Sequence, residues 1–403
     1  MISFEKTKDH VEIIRNKVLS KLLLMIQKFE ERLPLAKIIV FECESDLDDN
    51  PRAYYEYLIT NQLLKQYKFV WLVKDPAYCQ RYYQNDQTIF INRRLQSFGN
   101  QIKLYYFLRR ASCLVFSHPY WYRKKNEKQL IYNLWHGIPI KKGTDSGQLY
   151  KSFDYVSVHS ETAKKWIMEF LNCTDKQTLF IGAPRNDLLF TGDRKKIINK
   201  LFNYADGEKV IICMPTYRRS VSQTDCPIED KYSLSVIHTP EEMLLLNKHL
   251  KECNIHLIIK PHPLQITKDL SLINHSNIHY INNQLLLDKH ILLYELLGCT
   301  DGLISDFSSV TFDYLLLNKP IGYLLNDYDV YSRGFIMDNP QEYMTGKKIY
   351  KIEDLFDFIT EINEDLDIYS EDRKKINKMI NTYAMKDNCR LFHEHVISHS
   401  SCH

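Results

Sequence analysis

The chain has 403 residues, 44% of them hydrophobic and 26% charged, a composition that excludes a disordered or fibrous protein and, at roughly 150 residues per domain, suggests two or three domains. Fifty-three basic against 50 acidic residues leave a formal charge of +3, too small to make nucleic acid the main partner. Glycine is scarce, 12 of 403, and neither GxGxxG nor GxxxxGK followed by Ser or Thr occurs, so both common glycine-rich phosphate loops are excluded and an anionic ligand must be met by local side chains.

The first element in chain order is an amphipathic helix in residues 1–33. Val11, Ile14, Val18, Leu22, Met25, Ile26 and Phe29 fall near one face, with Arg15, Lys17, Lys21 and Lys28 mostly elsewhere. Such a helix suits an anionic lipid surface, or packing on its own domain. No apolar run reaches the roughly 18 to 20 residues that span a bilayer. Short apolar runs then alternate with helix-like stretches: 37–43, 69–73, 88–91, 113–117, 130–135 and 155–158 read as buried strands of a parallel sheet. A polar, basic stretch at 191–209 leads into a second series, with strands at 210–214, 255–260, 277–281, 302–305 and 320–325. Two successive βα arrays predict an α/β protein of two Rossmann-like domains, 34–190 and 191–385, facing across a cleft, with a C-terminal tail at 386–403. Ten cysteines are scattered singly without a CxxC, and no early signal sequence is seen, the pattern of reduced thiols in a cytoplasm.

In such sheets ligands gather at the carboxyl ends of strands, so polar residues just after an apolar run are the candidates. LIYNLWHGIPIKK ends a strand in His136 and Gly137, followed by Lys141. A neutral imidazole there can take a proton from an attacking hydroxyl, and Gly137 permits close backbone approach. The other reading is a histidine hydrogen-bonded at a domain boundary. IIKPHP sets Lys260 and His262 around prolines that stiffen the loop; protonated, both are phosphate donors, or the segment is a rigid corner. GLISDFSSVTFDYLLL runs a strand into Ser305, Asp306, Ser308 and Ser309 and then a helix, whose start can hold phosphate or merely be capped by those residues. ICMPTYRRS places Thr216 and Arg218 at another exit, as a pyrophosphate clamp or a solvated basic turn. GAPRND at 182–187 and Arg333 in DVYSRGF are weaker candidates.

Taken together, NLWHGIPIKK, GAPRND, MPTYRRS, IIKPHP and LISDFSSVTFDYLLLNKPIGY followed by DYDVYSRGF resemble, in order and spacing, the CDP-glycerol glycerophosphotransferase family of teichoic acid and capsule polymer synthesis. The resemblance runs from about Phe41 to Phe335. It implies a GT-B fold with the nucleotide mainly in the carboxyl-terminal domain, no cofactor, no obligatory structural metal, and a peripheral enzyme on the cytoplasmic face of the membrane acting on lipid-linked glycan acceptors. His136 is then the base for the acceptor hydroxyl and His262 the residue that holds and neutralises the diphosphate. Ser308 and Ser309 are phosphate-binding hydroxyls, with Thr216, Arg218, Lys260, Ser305, Asp306 and Arg333 on the donor side. Gly137, Lys141 and Asn50 of the opening strand-loop-helix fall on the acceptor side. Asp46, Asp48 and Asp49 read as a solvated loop capping the next helix rather than a metal site.

The reaction implied is transfer of glycerol phosphate from CDP-glycerol to an acceptor hydroxyl with release of CMP. CDP-ribitol as donor, a GT-B glycosyltransferase using a sugar nucleotide, and a non-catalytic nucleotide or glycan binder of an assembly complex are the competing readings; homo-oligomer formation stays open. The tail, with His393, His395, His399, Cys402 and His403, is expected to be a loose histidine-rich end, since its spacing matches no usual zinc finger.

Overall fold

The structure, a computed structural model, describes residues 34–399 apart from 84–85, 95–96, 119–121, 123, 125, 143–152, 217–230, 264, 266–274, 332–333 and 385. The amphipathic segment 1–33 lies outside the described residues. The strands follow in chain order as β1 (Ala36–Glu42), β2 (Lys68–Val73), β3 (Thr88–Asn92), β4 (Ala111–Phe116), β5 (Leu130–Asn133), β6 (Tyr155–Val158), β7 (Thr178–Phe180), β8 (Lys209–Cys213), β9 (Ile255–Ile259), β10 (Ile278–Tyr280), β11 (Gly302–Ser305), β12 (Ile321–Leu324) and β13 (Lys347–Ile349). They form a seven-stranded sheet of order β3-β2-β1-β4-β5-β6-β7 and a six-stranded sheet of order β10-β9-β8-β11-β12-β13. Strand pairs in both sheets are parallel, as at β1–β2, β1–β4, β8–β9 and β8–β11. Counted from its own first strand, the second sheet runs 3-2-1-4-5-6 and the first the same with a seventh strand at its edge, the doubly wound order that opens a crevice where neighbouring crossovers diverge. That place is between β1 and β4 in one sheet and between β8 and β11 in the other.

By compactness the chain divides into two units: the described residues of 1–135, 152–156 and 392–403, and those of 136–151 and 157–391. In the first, β1, β2 and β4 are buried nearly throughout, as strands covered on both faces must be. Phe41 stacks on Trp71 at 5.1 Å and meets Tyr55 edge-on at 5.7 Å. Asp48 caps the helix Asp49–Thr60, accepting from Asp49 N at 2.9 Å, and Asp46 accepts from the backbone of Lys74 and Asp75 at 2.7 and 3.1 Å.

The loose end expected of residues 386–403 is instead a helix over Asn388–His399. Phe392 and Val396, four apart and both buried, give it an apolar face. Phe392 packs on Tyr54 and Tyr132 at 4.5 and 5.0 Å, while His393 Nδ1 and His395 Nδ1 pair with the hydroxyls of Tyr54 and Tyr132, each at 3.1 Å. His393 and His395 thus pack as aromatic residues, each with its Nδ1 paired to a tyrosine hydroxyl; Cys402 and His403 lie outside the described residues.

In the second unit the two faces of the six-stranded sheet alternate residue by residue. Val210, Ile212, Ile258 and Leu303 enter one apolar cluster, while Ile211, Cys213, Leu257, Ile259 and Ile304 enter another, as a period of two requires. Helix Pro240–Glu252 covers the latter face through Met243, Leu246 and Leu250. Its start is fixed by Pro240 at the first turn and a reciprocal Thr239–Glu242 capping box.

Candidate active site

The second unit's crevice is lined by the segments that leave β8 and β11 at their carboxyl ends. Asp306, fully buried just past β11, accepts from Thr216 N at 3.0 Å to each oxygen and from Thr216 Oγ1 at 2.9 Å. Ser305 Oγ donates to Met214 O at 2.7 Å. These bonds tie the two strand exits to each other, and they direct the Thr216 and Ser305 hydroxyl protons inward rather than toward a ligand. One strand further out, Lys260 N donates to Cys213 O at 2.9 Å. That extension of the ladder beyond β9 sets Lys260, largely buried, and the following Pro261-His262-Pro263 corner beside the β8 exit.

The segment after β5 turns sharply. Asn133 Oδ1 accepts from Trp135 N at 2.9 Å, and the buried Asn50 amide donates to Leu134 O and Trp135 O at 3.1 and 2.8 Å. Asn50, read as acceptor-side, therefore braces backbone. Trp135 is held at φ 46° and Gly137 at φ 126°, a left-handed conformation costly for a bulky residue and one that glycine tolerates. His136 between them is exposed while both neighbours are buried. A Cβ on Gly137 would fall 2.6 Å from Ser309 Cβ, and Ser309 Oγ donates to His136 O at 3.4 Å. Further on, Lys141 forms an antiparallel bridge with Phe335, Ile336 N donates to Ile140 O at 2.9 Å and Lys142 N to Gly334 O at 3.2 Å.

Electrostatics links these pieces. The His262 imidazole is pushed down to about 3, first by burial and then by the positive charges of Lys141 and Lys260, with Asp306 pulling the other way and His136 adding to the depression. The sequence reading made His262 a phosphate donor when protonated; burial first, and then the neighbouring lysines, favour the neutral ring. It offers one ring N–H as a donor, and the positive charge of the cluster resides on Lys141 and Lys260.

Of the residues singled out in the sequence, the structure gathers His136, Gly137, Lys141, Thr216, Lys260, His262, Ser305, Asp306 and Ser309 in the second unit. Ser308 is half-buried ahead of the helix Val310–Tyr314, and its carbonyl accepts from Thr311. Ser309 makes no side-chain cap bond to that helix. Only five residues long, the helix contributes little dipole, and its Thr311 and Phe312 N–H groups already donate to Ser308 O and Ser309 O at 3.2 and 3.1 Å, so anion binding there would rest on hydroxyls. Arg218 and Arg333 lie outside the described residues.

Sequence reasoning missed a buried polar group beneath the turn. Asp313 accepts from Arg185 Nη2 at 2.7 Å, Asn186 Nδ2 at 3.1 Å and the Tyr294 hydroxyl at 2.6 Å, and His159 Nε2 stands 3.9 Å away. Burial lowers His159 to about 4, against the pull of Asp313 and with help from Arg185. The available signal was the polar exit HSE after β6, alongside GAPRND.

A profile described as CDP-Glycerol:Poly(glycerophosphate) glycerophosphotransferase matches residues 25–394. The chain belongs to that family. Among curated relatives, the teichoic acid glycerol-phosphate primase of Bacillus subtilis (strain 168) is 31% identical over 216 residues, 53% of this chain and 50% of the relative. The teichoic acid poly(glycerol phosphate) polymerase of Staphylococcus epidermidis (strain RP62A) is 26% identical over 367 residues, 83% of this chain and 47% of the relative. The chain thus spans about half the length of these two relatives. Among solved structures, that of the wall teichoic acid polymerase TagF superposes with a TM-score of 0.74 at 22% identity, covering 98% of this chain and 97% of that one. The family therefore shares with this chain a fold of two parallel α/β sheets.

Among the described residues, no helix is long and apolar enough to cross a membrane.

Proposed function

We propose that the chain transfers glycerol phosphate from CDP-glycerol to a hydroxyl of a lipid-linked glycan or polymer acceptor in teichoic acid or capsule synthesis, releasing CMP. The observation that carries this reading is the exposed His136 on its braced turn, which, like Lys141 and Lys260, lies within electrostatic reach of His262, in a member of a glycerophosphotransferase family.

The acceptor oxygen attacks the phosphorus that bears glycerol. The new O–P bond forms as the bond to the bridging oxygen breaks, CMP leaves with that electron pair, and His136 takes the hydroxyl proton. Charge grows on the transferred phosphoryl oxygens and on the leaving CMP. Lys260, Lys141, the neutral His262 N–H and the Ser308 hydroxyl supply the compensating donors, while Ser309 Oγ is engaged in donating to His136 O. Chemistry of this kind asks mainly for positioning and charge stabilisation. Asp306 holds the β8 and β11 exits in register for those donors through Thr216.

The basic, amphipathic pattern of residues 11–29 supports work at an anionic membrane face, where a lipid-linked acceptor is presented. Incubating the full chain with CDP-glycerol, CDP-ribitol and UDP-sugars, a synthetic lipid-linked disaccharide and its soluble analogue tests the reading. CMP release with CDP-glycerol and a product heavier by one or more glycerol phosphates is expected. Release from UDP-sugars alone would overturn it.

A further inference from the structure

We infer that Arg185, fixed by Asp313, is a positioning residue for the turn that carries His136; the inference rests on the reading of His136 as the base. Asp313 is 1% and Arg185 6% exposed. The carboxylate is met by Arg185, Tyr294 and Asn186, and the Tyr294 ring lies under the guanidinium at 4.7 Å. The guanidinium is therefore fixed both in its plane and at one end. Its Nη2 lies 3.1 Å from the place a Cβ on Gly137 would occupy.

Asp313 belongs to the short helix Val310–Tyr314, directly preceded by Ser309. That helix grips the turn twice: directly, through Ser309 Oγ to His136 O, and at one remove, through Asp313 and Arg185 to the underside of Gly137. Buried ion pairs are often replaceable by apolar side chains of similar volume with no loss of stability. Stability alone is thus a poor account of a buried Arg–Asp pair with a tyrosine and an asparagine arranged around it. A planar cation under a left-handed glycine sets where the turn sits, and with it the reach of the imidazole one residue earlier. Lysine keeps the charge but lacks the fork and the stacking plane.

The test compares wild type, Arg185→Lys and Tyr294→Phe for kcat, KM for CDP-glycerol, thermal midpoint and the NMR signal of the His136 imidazole. In R185K, kcat should fall at least about tenfold, as expected when a reacting group is misplaced by a fraction of an ångström, with KM for the donor within about twofold. Y294F should show a smaller drop of the same kind. Combined with Gly137→Ala, R185K should add little to the loss caused by G137A alone, because both act on one turn. Unchanged kcat in R185K, or kcat and KM worsening in proportion to a lowered midpoint, overturns the inference. If R185K does not fold, the kcat-against-KM split in Y294F decides in the same way. If wild type releases no CMP from CDP-glycerol, the proposed reaction fails on its own, and the His136 signal decides the inference: displaced in R185K supports it, unmoved overturns it.

Discussion

The Asn50 side chain holds the carbonyl of Trp135, donating to it at 2.8 Å and to the neighbouring Leu134 carbonyl at 3.1 Å. Asn50 is fully buried on the helix Asp49–Thr60, and Trp135 sits at φ 46° with His136 next in sequence. Asn50→Ala leaves two buried carbonyls without these donors, which costs about 1–3 kcal/mol each at most. Urea denaturation should show a loss in that range. Activity should fall further than the folded fraction does, because Trp135 is then free to leave its left-handed conformation. Activity that simply tracks the folded fraction would show that Asn50 only stabilises.

His136→Ala should lower kcat by roughly 100- to 10,000-fold, the usual worth of general base help, while CDP-glycerol binding by calorimetry stays within about twofold. A variant retaining a tenth of the wild-type rate removes His136 as the base.

Acid should destabilise the fold through His262. The unfolded imidazole titrates at 6.5 and the folded one at about 3, so below 6.5 the unfolded chain binds a proton that the folded chain refuses. Stability from this site is complete above pH 6.5, declines as pH falls, and levels off below 3. His159, at about 4 when folded, acts in the same direction over 6.5 to 4. Urea midpoints measured from pH 7.5 to 4.5 should fall less steeply in His262→Asn than in wild type. Parallel slopes would mean that the folded ring takes up its proton as readily as the unfolded one.

Thr216→Val removes a hydroxyl donor from the buried Asp306 carboxylate, an interaction of the charged class worth about 1.5–3 kcal/mol. The backbone donor of residue 216 remains. Stability should drop by an amount of that order, with KM for CDP-glycerol changing much less than if the hydroxyl touched the diphosphate. A large KM effect at unchanged stability would return Thr216 to the ligand-binding set.

Most strands legible in the sequence are apolar runs buried nearly throughout, although β3 and β10 are only partly buried. The stretches 155–158 and 302–305 coincide with β6 and β11, and others, such as 37–43 against Ala36–Glu42, differ by a residue or two at the ends. β13 was missed because Lys347–Ile349 is three residues long with two lysines, and only pairing with β12 makes it a strand. β7, also three residues, could be placed only by the GAPRND exit that comes after it. The site was legible where one short motif holds both strand end and functional side chain, as in WHG, KPHP and SDFSS. What no local pattern reveals is which hydroxyls turn inward: Thr216 and Asp306 are 90 residues apart, and their bond reassigns a candidate ligand contact to the scaffold. The same holds for Arg185 and Asp313, 128 residues apart. The histidine-rich end reads as loose in the sequence, where its apolar residues are few, whereas Phe392 and the rings of His393 and His395 pack as aromatics.

Main-chain bonds stitch residues 140–142 to 334–336. Such bonding does not itself depend on which side chains project from it, and Phe335 is held in addition by its ring, which packs on Phe307, Tyr328 and Tyr331. The path of the chain after Gly137 is thereby set twice over, by peptide groups on one side and by an aromatic cluster on the other.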